Sequence, residues 1–334
     1  MFRTPHPRAL TPTRNRALAR AAGAAVLSVA LAACGSAASG GMSGMDHGAS
    51  PAAGSAGTTA AGGGHQGHRM PGADAATADA TTSTSAPGVP AGAATGAPGA
   101  ERNGYRLSSE VTTLAAGAPA EYRFAITGPD GRPVTAFRTD QTKRMHFYAV
   151  RSDLTGFQHL HPEMAADGTW TAPLAAPTAG TWRVYASFVP DSGAGRGTGL
   201  VLSRTVDVPG EGASAAAELP AASGTATVDG YTVAVEGTPV AGRAGELKVT
   251  VSKDGRPVTD LQPYLETFAH LTAFHAGDQA FAHLHPEAAA EAGSTGGPTL
   301  AFHAELPASG DWRLFLQFLT GGQLHTVGLT LRAG

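Results

Sequence analysis

Two all-β domains in tandem behind a disordered N-terminal tether are what this 334-residue sequence predicts. Three observations carry that reading: an internal repeat, a period-two strand pattern and an abrupt change of composition near residue 100. DGRPVT at 130–135 recurs at 254–259, and His146, His159, His161 and Gly210 recur as His270, His283, His285 and Gly334, all at an offset of 124. Gly180-Thr181-Trp182-Arg183 recurs as Gly310-Asp311-Trp312-Arg313 at an offset of 130, so the copies differ by loop insertions.

Within each copy the strands are short and alternate. EYRFAIT (121–127) and ELKVTVS (246–252) place apolar residues at every second position, as do WRVYASFV (182–189) and WRLFLQFL (312–319). Gly, Pro and Asp cluster between them, and no segment of either copy has a helical period. Strands at this spacing over about a hundred residues predict an immunoglobulin-like β-sandwich per copy, 101–210 and 222–334, joined through VPGEGASAAAELPAASG (208–224).

The remaining segments are not expected to fold. Residues 34–100 are almost wholly Ala, Gly, Ser, Thr and Pro, too poor in apolar surface to offset chain entropy, and read as a tether. Ahead of them, Arg14, Arg16 and Arg20 precede the apolar run AAGAAVLSVALAA, too short for a permanent membrane span. Leu31-Ala32-Ala33-Cys34 resembles the lipobox of bacterial lipoproteins. That resemblance implies a signal peptide over 1–33 and a mature protein lipidated at Cys34, the only cysteine, and so anchored extracytoplasmically to the cell membrane. A single cysteine excludes an internal disulfide and any Cys-rich zinc site. Five Arg lie before Cys34, leaving 18 basic against 26 acidic residues, about −8, with no basic patch for nucleic acid.

The chemistry gathers on one hairpin per copy. MHFYAVR (145–151), SDLT and GFQHLH (156–161) read as two strands and a turn; if opposed residues sum to 307, Tyr148 faces His159 and His146 faces His161. Period two then puts His146, His159 and His161 on one face, within reach of a common ion. In copy two Thr272 faces His283 and His270 faces His285, which predicts a second triad of His270, His283 and His285. Pro162 and Pro286 are expected to end the strands, leaving both triads at a sheet end open to solvent. Glu163 and Glu287 follow as orienting or ligating carboxylates, and His325 is either an extra ligand or a surface residue.

A histidine on an apolar strand is often a packed core residue, and HLHPE could be a turn device copied by duplication. Against that, Tyr148 has diverged to Thr272 and Arg151 to His275, while all three histidines stand in both copies. Imidazole accepts zinc, copper, nickel and iron. The tether adds Met42, Met45 and His47, then His65, His68 and Met70, and thioethers favour Cu(I). Copper is therefore the first expectation and zinc the second.

The strand histidine, HLHPE and Gly-x-Trp-Arg resemble the secreted HLHP-containing β-sandwich lipoproteins of high-GC Gram-positive bacteria. More distantly, in fold and ligand type, they resemble periplasmic copper-resistance sandwiches. The two triads and the Met/His tether, with this resemblance beside them, lead to the expectation of a metal-binding protein, with one ion per domain, that buffers copper or delivers it to a membrane partner such as a metal transporter, without turnover. The rivals are a zinc-dependent enzyme with Glu163 or Glu287 as base, and a structural or protein-binding module with packing histidines.

Overall fold

The computed structural model describes residues 97–334. The signal segment, Cys34 and the Met/His positions Met42, Met45, His47, His65, His68 and Met70 lie outside the described residues.

In the first repeat the strands are β1 (Glu101–Arg102), β2 (Tyr105–Ser108), β3 (Ala120–Thr127), β4 (His146–Arg151), β5 (Gln158–Leu160), β6 (Glu163–Met164), β7 (Thr169–Leu174), β8 (Gly180–Phe188) and β9 (Leu200–Val208). The second repeat supplies β10 (Thr225–Val228), β11 (Tyr231–Glu236), β12 (Ala244–Lys253), β13 (Arg256–Pro257), β14 (Ala269–His275), β15 (Phe281–Pro286), β16 (Thr299–Glu305), β17 (Gly310–Thr320) and β18 (Gln323–Ala333). Among the described residues there is no helix.

Each repeat is an immunoglobulin-like sandwich. In the first, a sheet in the order β1-β2-β3-β7-β6 faces one in the order β5-β4-β8-β9. Between them lies a core of Tyr122, Phe124, Ile126 and Trp170 from one layer and Phe147, Trp182, Val184 and Ala186 from the other. The alternation of WRVYASFV accounts for this: Trp182, Val184, Ala186 and Phe188 all point inward. The second core repeats the plan with Val233, Val249 and Phe302 against Leu271, Trp312, Leu314 and Phe318.

The two copies differ at the edge that carries HLHPE. In the first, pairing stops at Leu160 and resumes in a different sheet at Glu163, as expected of a strand broken at Pro162. In the second, β15 reaches as far as Pro286, pairing His285 with His303 and Pro286 with Phe302. One continuous sheet in the order β10-β11-β12-β16-β15-β14-β17-β18 results, with β13 beside β12. β15 does end at Pro286, as expected, but its last two residues pair with β16, so the strand end joins the neighbouring sheet instead of standing open. Proline is tolerated here because it is the last residue of β15 and its missing N–H interrupts no further rung.

Gly-x-Trp-Arg is a packing motif in both copies. Trp182 and Trp312 fill the cores while their indole N–H groups donate to the carbonyls of Thr178 (2.8 Å) and Ala308 (2.9 Å). Gly180 and Gly310 have φ of 142° and 120°, and a Cβ on either would collide with Arg151 or His275. Those two side chains are equivalents: Arg151 Nε donates to the Ala179 carbonyl (2.9 Å) and His275 Nε2 to that of Ser309 (3.1 Å). Arg151 also reaches the Gly212 and Ala213 carbonyls, and Asp153 accepts the Ala217 N–H (2.9 Å), so the connecting segment is tied to the first repeat.

The outer faces of β4 and β14 are covered as fully as the inner ones: every residue of β4, and all of β14 but its last, is buried. What covers them is the other repeat. Tyr148, Val150 and Tyr185 pack with Phe274, Phe281 and Phe315, and Phe157 stacks on Phe315 with ring centres 4.3 Å apart. The Tyr185 hydroxyl donates across this interface to the Gln279 carbonyl (2.9 Å).

Removing that stacking partner should weaken the joint between repeats. Phe157→Ala is expected to cost about 2 kcal/mol, below a fully buried phenylalanine because Phe157 is only half-buried. Urea denaturation followed by fluorescence would read it, and an unchanged midpoint would contradict a stabilising interface.

Candidate metal centre

The hairpin registers are those the sequence arithmetic requires. Phe147 pairs with Leu160, Tyr148 with His159 and Ala149 with Gln158; Thr272 pairs with His283 and Phe274 with Phe281. Side chains therefore alternate as expected: Phe147 and Ala149 enter the first core, while His146, Tyr148 and His159 face the other way. That way leads into the interface between the repeats, not to an open sheet end. His146 is 3% exposed and His270 1%.

His146, His159 and His161 form a cluster in which one ligating nitrogen from each lies within 4.8 Å of the other two. Their ring centres are 5.4 Å (His146 to His159), 5.1 Å (His146 to His161) and 4.7 Å (His159 to His161) apart. Two imidazoles on one tetrahedral ion, with metal–nitrogen bonds of about 2.0–2.1 Å, place their ring centres about 5 Å apart and their ligating nitrogens about 3.3 Å apart.

Hydrogen bonds at the far side of two rings determine where the lone pairs point. His146 Nε2 is 3.0 Å from the Asp140 carbonyl, which can only accept, so Nε2 carries the proton and Nδ1 does not. His159 Nδ1 is 2.7 Å from Gln317 Oε1, while Gln317 Nε2 donates to Thr326 Oγ1 (3.2 Å), so His159 Nε2 is likewise bare. These two unprotonated nitrogens, His146 Nδ1 and His159 Nε2, stand 3.1 Å apart. A neutral pair in that state has no proton to share, and a cation held between them removes the lone-pair repulsion. The Nε2 of His161 is buried with no hydrogen-bond partner.

The second repeat does not close an equivalent triad. His270 and His283 stack at 5.8 Å and His283 lies 5.2 Å from His285, but among the described residues the three do not converge as the first set does. The difference follows from β15: pairing with His303 draws His285 toward β16, whereas the break at Pro162 lets His161 turn back toward His146. The two sets nevertheless meet, for His270 lies 6.0 Å from His159 and 6.4 Å from His146, and His283 lies 6.4 Å from His146. Both ring nitrogens of His270 and Nε2 of His283 are buried without a hydrogen-bond partner.

The other candidates lie outside the cluster. Glu163 and Glu287 are exposed. Glu163 lines, with His161, Lys143, Met145, Met164 and Trp170, a surface depression of about 550 Å³ that the cluster touches through His161 alone. His325 is not a surface residue but lies apart from the cluster: it is 5% exposed, hydrogen-bonded to Asp229 (2.7 Å) and packed on Tyr231 and Phe318. Two contributors escaped the sequence reading, Gln317 and the Asp140 carbonyl. Gln317 had a signal, a lone amide facing outward on the apolar strand WRLFLQFL; a carbonyl has none.

Burial is the chief influence on the protonation of the cluster, and it lowers every pKa in it. His161 is pushed down to about 3 by burial, then by the charges of His146 and Lys143. His270 is pushed down to about 3 by burial and then by His146, although the Leu265 and Tyr264 carbonyls favour its charged form. His159 and His283 fall well below the usual range, and His146 and His285 fall too, for burial first in each case.

The family model described as a domain of unknown function (DUF8832) matches residues 100–200 and again 226–334, once for each sandwich. The chain belongs to this family. No curated protein matches it. Among solved structures it is similar to the Escherichia coli adhesin FdeC, at 17% identity and TM-score 0.22 over 70% of this chain and 64% of that one. It is similar to Yersinia pseudotuberculosis InvD at 13% identity and TM-score 0.23 over 69% and 57%, and to a titin fragment at 13% and 0.19 over 69% and 98%. The chain thus spans less than two thirds of the length of FdeC and of InvD. These are likenesses of fold and carry nothing about activity or partners.

The lowered pKa values make the fold acid-sensitive. A histidine held neutral by burial binds fewer protons folded than unfolded, so its contribution is complete above the unfolded pKa of about 6.5 and is lost as pH falls toward the folded value. The metal-free protein should therefore lose stability steadily from about pH 6.5 down to about pH 3. Urea midpoints measured across that range in the wild type and in His270→Gln should show a shallower decline in the variant, and parallel curves would disprove the assignment.

Proposed function

We propose that this is an extracytoplasmic metal-binding protein in which His146, His159 and His161 hold one transition-metal ion, copper first and zinc second. Its work on this reading is binding, buffering or delivery to a membrane partner, with Cys34 as the lipid anchor. The observation that carries the proposal is the pair of bare nitrogens, His146 Nδ1 and His159 Nε2, aimed at each other across 3.1 Å by hydrogen bonds to Asp140 and Gln317. An all-imidazole set suits Cu(II) and Zn(II) alike; the preference for copper comes from the thioethers among the tether histidines.

Binding is favoured over turnover because the centre lies between two packed sheets and no carboxylate of the described residues joins the triad as a base. A second reading, of histidines that serve only to pack the repeats of a structural or protein-binding module, is supported by the stacking of His159 on Tyr148 at 4.4 Å. The two readings part over metal.

Titration of the full chain with Cu(II) and with Zn(II), beside a His146→Ala/His159→Ala variant, decides between them. The expected result is one tightly bound ion that the variant loses, over and above any bound by the tether in both. Equal binding by the two proteins would favour the packing reading. Because burial keeps the imidazoles neutral, the triad-dependent ion should still be held at about pH 5.5, where free imidazole is mostly protonated. Release near pH 6.5 would show that the ligands are solvent-exposed histidines elsewhere.

A further inference from the structure

We infer that the fourth ligand of this ion is His270, contributed by the second repeat, so that one ion is gripped by both sandwiches at once. The inference rests on the metal reading above and names the group that completes the site. Three histidines leave a tetrahedral ion one position short, and among the described residues the other repeat surrounds the triad on its interface side.

His270 meets the requirements of such a ligand. It is 1% exposed, and neither of its ring nitrogens has a hydrogen-bond partner. Its ring centre lies 6.0 Å from His159 and 6.4 Å from His146, about 1 Å beyond the spacing of rings that share a tetrahedral ion. A modest rotation about its side-chain torsions closes that gap.

The backbone around His270 repeats the device that orients His146. In the first repeat a tight turn from Asp140 to Lys143, with φ of 44° and 68° at Gln141 and Thr142, turns the Asp140 carbonyl toward His146. Tyr264 is the counterpart of Asp140 at the offset of 124 that relates the histidines. The turn from Tyr264 to Thr267 has φ of 55° and 63° at Leu265 and Glu266, and the Tyr264 and Leu265 carbonyls approach His270. A ring N–H turned toward either carbonyl would leave the other nitrogen bare. Gln317 adds a second tie across the interface: it stands beside His270 in the β14–β17 ladder and holds His159 of the other repeat.

His283 and His285 are less suited. His285 is paired in the ladder with His303, and His283, at the same 6.4 Å from His146 as His270, stacks on His270 behind it, whereas His270 also stands 6.0 Å from His159. The consequence of a shared ion is mechanical: occupancy and docking of the repeats become one equilibrium, each strengthening the other.

The test is Zn(II) titration of the full chain and of its His270→Ala, His270→Gln, His283→Ala and His159→Ala variants, with limited proteolysis of the connecting segment 209–224 as an independent readout. His270→Ala and His270→Gln should each weaken the triad-dependent ion by more than about tenfold and abolish the protection from proteolysis that zinc confers on the wild type. His283→Ala should change affinity by less than about threefold. Wild-type affinity and protection in both His270 variants would overturn the inference while leaving the triad reading intact, and a large loss in His283→Ala alone would transfer the role to His283. If the wild type binds no ion that His159→Ala loses, the metal reading itself falls.

Discussion

Burial of the outer faces of two hairpin sheets against each other is the constraint on which the rest of this molecule depends. Each sandwich has its own core, and an ordinary sandwich would leave the outer faces of β4 and β14 to water. Here Tyr148, Val150 and Phe157 of one repeat meet Phe274, Phe281 and Phe315 of the other, and the histidines at the end of each hairpin are carried into the same dry seam. Desolvation then holds the imidazoles neutral, and neutrality makes their nitrogens available as ligands or costly to leave alone.

Duplication supplied symmetry, and a single strand edge broke it. The two hairpins share registers, yet the end of β15 at His285 and Pro286 pairs with the neighbouring sheet while its counterpart already stops at Leu160, before Pro162. One rung of pairing, His285 with His303, separates a loose set of imidazoles from a converged one. The same divergence gave Gln317, whose counterpart on β8 is Ser187 in the matching rung, the length to reach across to His159.

Much of this was legible beforehand because its causes are local. Alternation specified the strands, the turn SDLT set the register of the first hairpin, and period two put His146, His159 and His161 on one face. Even the buried outer face left a trace: Phe147, Tyr148, Ala149 and Val150 of β4 follow one another without a polar alternation, as in strands covered on both sides.

By itself, then, the sequence determined two sandwiches, their hairpin registers and a shared face for the histidines of each, since these follow from residue order within some twenty positions. Only the tertiary structure decided what that face meets, whether the end of a hairpin strand pairs with a neighbouring sheet, and that ligand-type residues of both repeats occupy one seam. The physical reason is that a face's partner is chosen by shape and apolar complementarity between surfaces over a hundred residues apart, and a backbone carbonyl such as that of Asp140 orients a ring through position rather than through any side chain the sequence spells.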